Sequence, residues 1–254
     1  MDKRVRNIVY NFIMIAVPLA LLIFWEIEGR RGAINTTALP IPSEIGEVCK
    51  KLIVSGKLQK HLMVSFHRVI SGFIYGSLAG VIIGILMGQF KIINKALTVF
   101  VGVLRPIPLI GWTPLFIIWF GLGEASKVVT IVVSVFWSLL INTIDGFRQI
   151  DKNYLEVSQS FGKSRLDNIF HVVIPTIFPS IFTGLRLGIS NAWRGVVAAE
   201  MIAATAGIGY MISSARELFK TGELMVGLLS IGLICLFLDA VILLIQKVIF
   251  RWKE

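Results

Sequence analysis

Apolar residues fill this chain in long runs, and polar residues are confined to short breaks between them. The runs lie at about 8 to 27, 66 to 88, 96 to 120, 126 to 145, 177 to 202 and 225 to 247. Each reaches the roughly 17 to 25 residues that a helix needs to cross a hydrocarbon core. The pattern predicts an all-α, polytopic membrane protein with about six transmembrane helices.

Two stretches carry finer patterning. Between the first two runs, "LPIPSEIGEVCKKLIVSG" reads as a Pro-stiffened entry, a Ser43 cap and a short amphipathic helix ended by Gly56, resting on the membrane surface. Residues 1–60 therefore form one division, a transmembrane helix followed by an outer amphipathic loop. In the second run Gly72, Gly76, Gly80, Gly84 and Gly88 recur at four-residue steps. On a helix this is a stripe almost free of side chains, along which a second helix can approach closely where lipid removes the hydrophobic drive for association. Helix packing is the role predicted for these five glycines, with a substrate path along the stripe as the alternative.

Composition changes the picture little. Apolar residues make up 56% of the 254 and charged residues 16%, against about a quarter charged in soluble domains. The net charge of +10 could suggest nucleic acid. The basic residues are scattered among membrane flanks rather than gathered on one face, so lipid headgroups are the expected counter-charge, with no nucleic-acid partner. "MDKRVRN" and the run after it resemble a signal peptide, but no small-x-small cleavage site follows, and a retained helix is expected. Cys49 and Cys235 are poorly placed to pair, and His61, His67 and His171 lack metal-binding company, so neither a disulfide nor a metal is expected. With the N-terminus inside, twelve Lys and Arg residues fall on inner segments and nine on outer ones. That bias puts both termini and the polar island at 146 to 176 in the cytoplasm.

The island contains Gly162-Lys163-Ser164, the tail of a phosphate-binding loop. A working loop needs glycine five residues earlier and a buried strand before it; Val157 stands there, within the polar and helix-prone "DKNYLEVSQS". An ATP site is therefore not expected. The residues write two short helices instead. Asp151 caps the first, Gly162 tolerates the turn, and Ser164 with Asp167 makes a capping box for the second. Leu166, Ile169, Phe170 and Val173 share one apolar face of it, and Pro175 is expected to stop it.

These residues carry a resemblance. Glu156, Gly162, Val172, Ile174 and Pro175 are spaced as in the E-A-A-x-x-x-G-x9-I-x-L-P signature of binding-protein-dependent ABC importer permeases of the type I, MetI-like fold; Val157 and Ser158 replace its alanines and Val172 its isoleucine. "RPIPLIGWTPLFIIWFGLGEASK", "TGLRLGISNAW", "VVAAEMIAA" and "GIGYMI" resemble the taurine, alkanesulfonate and nitrate branch. The resemblance implies a permease domain over 61–250, with the stretch at about 151–175 as a coupling loop docked on a separate ABC ATPase chain. Glu156, Ser160, Phe161 and Gly162 would face that ATPase, and Pro175 closes the motif. ATP and Mg would belong to the ATPase, with no cofactor in this chain. Further implied partners are a periplasmic or lipid-anchored solute-binding protein and a second permease chain, as a homodimer, in a bacterial cytoplasmic (inner) membrane.

Ionisable groups within spans are costly and are functional candidates by default. Here they are Arg105, Asp145, Arg186, Arg194, Glu200 and Asp239. Arg105 opens "RPIPLIGWTP", where Pro106, Pro108 and Pro114 break helical hydrogen bonding, as is tolerated beside a cavity. Guanidinium offers forked donors to anionic oxygens, so Arg105, Arg194 and Glu200 are the predicted substrate pathway. Pairing of the span arginines with Asp145 or lipid phosphate is the alternative. Arg194 departs from the uncharged residue of the taurine-type permeases. A secondary transporter would need mid-membrane acids, for which Asp145, Glu200 and Asp239 could serve, but no inverted repeat of broken spans is visible. An intramembrane enzyme would need a nucleophile-base or metal constellation, and none is visible.

Overall fold

The computed structural model describes residues 3–151, 167 and 169–249, and their regular elements are helices. In chain order these are α1 (Lys3–Arg30), α2 (Pro42–Val54), α3 (Lys57–Gln89), α4 (Lys91–Leu104), α5 (Leu109–Phe120), α6 (Glu124–Arg148), α7 (Ile174–Ala203), α8 (Ile208–Glu217) and α9 (Thr221–Ile249). Among the described residues α3, α6, α7 with the turn before it, and α9 are long and apolar enough to cross a membrane. The first apolar run lies on α1, 28 residues long.

The run at 96 to 120 is not one span. It is divided between α4 and α5, which meet at 103° and make a fifth crossing only if counted together. The cause is local. Arg105 keeps helical angles, but Pro106 and Pro108 supply no N–H to continue the ladder and Pro108 itself is extended, so the ladder stops at Leu104 and restarts at Leu109. Pro114 is carried inside α5 without ending it.

The chain divides into two compact units. The first comprises Met1–Lys60 and Met211–Leu229. In it Glu26 of α1 accepts from the Ser43 backbone N–H at 3.0 Å and from its hydroxyl at 2.8 Å. Ser43 is thus not the cap of α2. Ile41 holds that position and Pro42 the first turn, where a missing N–H costs nothing and a fixed φ suits the helix. Lys57 Nζ reaches Glu223 at 2.6 Å, and the Thr221 hydroxyl donates to the Thr37 carbonyl at 2.9 Å.

The second unit, His61–Tyr210 with Ser230–Glu254, is built around α6. Ile131, Val135 and Leu139 are fully buried there, and glycines of two other helices lie on them. A Cβ placed on Gly72 would fall 2.5 Å from Ile131, on Gly80 2.7 Å from Leu139, and on Gly84 2.6 Å from Thr143, while Gly76 faces Val132 and Val135 and Gly88 faces Phe147. Contact positions rise together on both helices, so α3 and α6 run parallel. From α7, Gly146 of α6 meets Ser180, and Gly184, Gly188 and Gly195 meet Asn142, Leu139 and Ser134. Those positions run in opposite order, so α6 and α7 are antiparallel.

Pro175 does not end a helix. It occupies the first turn of α7, which follows directly on a π-helical turn at Ile169–Val173. Its missing N–H leaves a carbonyl of that turn without a helical donor, so the proline falls where the helix changes from π to α. The rest of the expected double helix, from 152 to 166, lies outside the described residues.

Candidate functional site: an arginine cavity and a second cavity beside it

Where α4 turns into α5, the bend opens a space against α6 and α7. Arg105 ends α4, its N–H bonded to the Val101 carbonyl at 3.1 Å. A cavity of about 540 Å³ follows, walled by Arg105, Trp112, Ser134, Trp137, Ser138, Asn142, Asn191 and Arg194 among others. Its polar floor is ordered. The Asn191 amide donates to Ser138 Oγ at 2.7 Å, the Asn142 amide to the Ser138 carbonyl at 2.8 Å, and Arg194 to Asn191 Oδ1 at 3.3 Å. No carboxylate lines the cavity, and neither arginine pairs with one among the described residues. The Trp112 indole N–H also lacks a hydrogen-bond partner among them. A buried donor without a partner calls for an acceptor. Two guanidinium groups, amide and hydroxyl groups and two indole faces can together hold a small oxyanion with an apolar portion.

The structure brings Arg105 and Arg194 to this cavity and leaves Glu200 out of it. Glu200 is 1% exposed and belongs to a charge cluster at the C-terminal end of α7, in which Arg68 is buried and Glu124 is exposed. Arg68 of α3 donates to Glu124 through Nε and Nη2, both at 2.6 Å, and through Nη1 to Glu200 Oε1 and the Ala206 carbonyl, both at 2.7 Å. Glu200 also accepts from the Ser65 hydroxyl at 2.8 Å and the Gly209 N–H at 2.9 Å. Ser65 Oγ accepts from the Ile208 N–H at 2.8 Å and His61 Nδ1 from the Gly207 N–H at 3.1 Å. Lys127 reaches Glu124 at 3.2 Å. Gly207, at φ +124°, lies flat against the Glu200 carboxylate, where any Cβ would overlap it. With these partners Glu200 ties α3, α7 and the start of α8 together.

A second cavity of about 690 Å³ lies farther along α6 and α7, with Asn142, Asp145, Thr183, Arg186, Gln246 and Lys247 in its wall. Asn142 lines both cavities, so they adjoin. Arg186 pairs with Asp239 of α9, at 2.6 and 2.8 Å, and Asp145 with Arg148 at 3.0 Å. Among the described residues Asp145 thus pairs with the arginine that ends its own span, not with Arg105, Arg186 or Arg194. Sequence reasoning missed Arg68, Ser65 and the polar stripe of α6. The stripe had a signal: Ser134, Ser138 and Asn142 stand at four-residue steps inside an apolar span. Glu156, Ser160, Phe161 and Gly162 lie outside the described residues.

Comparison with known proteins fits this geometry. Residues 76–254 match the family described as binding-protein-dependent transport system inner membrane component. The chain is 34% identical to the putative aliphatic sulfonates transport permease protein SsuC of Bacillus subtilis, over 94% of this chain and 86% of that one. It is 31% identical to the taurine transport system permease protein TauC of Escherichia coli, over 91% and 86%, and 32% identical to the nitrate import permease protein NrtB of Synechocystis, over 92% and 88%. Among solved structures, the inward-facing MetNI methionine ABC transporter superposes with a TM-score of 0.59 at 17% identity, covering 81% of this chain and 97% of that one, which shows the fold. With the helical spans and the arginine cavity in place, the chain belongs to the binding-protein-dependent inner membrane components, the type I permeases of ABC importers, in the branch of the sulfonate, taurine and nitrate permeases.

Proposed function

We propose that this permease passes a small organic anion, taurine or another alkanesulfonate first, from a solute-binding protein into the cytoplasm. A single observation carries the cargo class: the cavity that holds Arg105 and Arg194 offers donors and indole faces and no carboxylate. A sulfonate has only acceptor oxygens on its head and an apolar tail, which suits forked guanidinium donors and tryptophan surfaces. The sulfonate and taurine permeases among the relatives support the same reading. Nitrate is the second reading, supported by the nitrate permease relative and by a donor set that serves any small oxyanion.

The chain works as a homodimer with two ATPase chains inside and the binding protein outside, both termini being cytoplasmic. ATP and Mg sit in the ATPases. Closure of those subunits drives the stretch at about 151–175, through Glu156, Ser160, Phe161 and Gly162, and the permease pair turns outward to accept solute. Hydrolysis returns it inward.

Gentle detergent extraction from the native membrane, followed by mass spectrometry of what stays bound, tests the coupling. A stoichiometric ABC ATPase is expected. Gly162→Pro should lose it and abolish uptake while the chain stays in the membrane at normal level. A chain that emerges alone and transports without ATP would contradict the reading and point to a secondary transporter.

A further inference from the structure

Three arginines of this unit face the two adjoining cavities, and they are not electrostatically alike. Arg105 and Arg194 have no carboxylate partner among the described residues, whereas Arg186, in the wall of the second cavity, gives Nε and Nη2 to the two oxygens of Asp239 at 2.6 and 2.8 Å. Asp239 is not itself in the wall; it stands behind Arg186 on α9. Both side chains are 36% exposed, so the pair is neither sealed in the core nor lost in solvent. An intramembrane ion pair is costly unless it serves a purpose, and neither Arg186 nor Asp239 belongs to the apolar core, against which their neighbours Leu185 and Leu238 pack.

We propose that Asp239 neutralises Arg186 so that the second cavity does not hold an anion, and that this makes it the compartment of release. The inference rests on the anionic-cargo reading. An anion gathered at Arg105 and Arg194 passes Asn142, common to both cavities, and meets a guanidinium whose Nε–Nη2 fork is already taken and whose charge is masked by Asp239. In the same wall Asp145, which also pairs with Arg148, opposes the charge of Lys247, so masking Arg186 leaves this cavity less positive than the one that holds Arg105 and Arg194. Affinity falls along the path, and the solute leaves. Asp239 is a positioning residue in this account: it acts on the cargo only through Arg186.

The test uses the complete importer in nanodiscs, with Cys49 and Cys235 replaced and one new thiol, Thr183→Cys, placed one helical turn before Arg186. Its labelling rate is measured with sulfonatoethyl methanethiosulfonate, an anion, and with the trimethylammonioethyl analogue, a cation. Asp239→Asn should raise the anion-to-cation rate ratio about tenfold, the effect of one unscreened charge a few ångströms away. Arg186→Gln should move it about as far the other way. The swap of Arg186→Asp with Asp239→Arg should leave the ratio near that of the parent. In proteoliposomes Asp239→Asn should lower both the turnover and the KM for hexanesulfonate. A purely structural pair would lower folded yield without moving the ratio. Ratios that stay put in both single variants, or that shift equally in the swap, overturn the proposal. Shifts as expected, in a parent complex that imports neither sulfonate nor nitrate, support the neutralised wall and overturn the cargo reading instead.

Discussion

Arg68 and Arg186 make the same bond, a two-pronged grip on a carboxylate, at opposite ends of the same helical unit, and their surroundings give the bond opposite meanings. Arg68 is 6% exposed, and its cluster satisfies nearly every donor and acceptor it contains, including the backbone of the loop before α8. Both arginines border cavities, Arg68 beside Glu124 and Arg186 beside Asp145; the difference is that Arg186 has Asp239 as its one carboxylate partner among the described residues. Buried Arg68 and Glu200 fix helices in place, because removing either strands the other in low dielectric, while Glu124 at the edge of the network is 64% exposed. A half-exposed pair stores a charge that its partner can mask. Arg68 thus ties three helices through a buried carboxylate, whereas Arg186 rests on a single half-exposed one.

Breaking the Arg68 cluster should have the largest effect. Arg68→Leu leaves Glu124 and Glu200 without their guanidinium and should cost roughly 3–5 kcal/mol, read as loss of monodisperse protein and a large fall in thermal midpoint. Arg68→Met combined with Glu200→Gln should recover part of that loss. Gly80→Leu forces a side chain against Leu139 Cβ and the Phe136 carbonyl, where even a Cβ would stand at 2.7 and 2.8 Å. Such overpacking should cost about 1–3 kcal/mol and lower folded yield, whereas Gly102→Leu, with open space around it, should not. Ser65→Ala removes a hydroxyl that both donates to Glu200 and accepts from Ile208 N–H, a loss of about 1–3 kcal/mol visible in the same melt. At the other end, Arg148→Gln breaks a pair whose side chains are 75% and 46% exposed and should shift stability by less than about 1 kcal/mol. If Arg148 proved as costly as Arg68, the contrast between the ends would be lost.

Four of the six apolar runs announced spans because run length is a local property, and the four-step glycines announced a close helix contact for the same reason. Neither could say which helix would fill the stripe: that α6 does so depends on residues some sixty positions away. The proline pair at 106 and 108 signalled a break, yet the right-angled bend it permits was hidden inside an uninterrupted apolar run. Glu200 stood out because a mid-span acid is functional by default. Its partner Arg68 is 132 positions earlier, and no local pattern links them. Arg105 and Arg194, by contrast, were legible as candidates, since an unbalanced cation in an apolar segment must find an aqueous or anionic neighbour wherever the chain folds.

The central claim is that the cavity at the α4–α5 bend carries an anion through an ATP-driven permease. It is tested most directly by uptake of labelled taurine and hexanesulfonate into proteoliposomes that hold this permease, its ATPase and its binding protein. The account predicts ATP-dependent uptake that falls at least about tenfold in Arg105→Gln with Arg194→Gln, as loss of two charge-assisted contacts requires, while the complex stays assembled and still hydrolyses ATP. Uptake at the parental rate in that double variant, or uptake that proceeds without ATP, would contradict it.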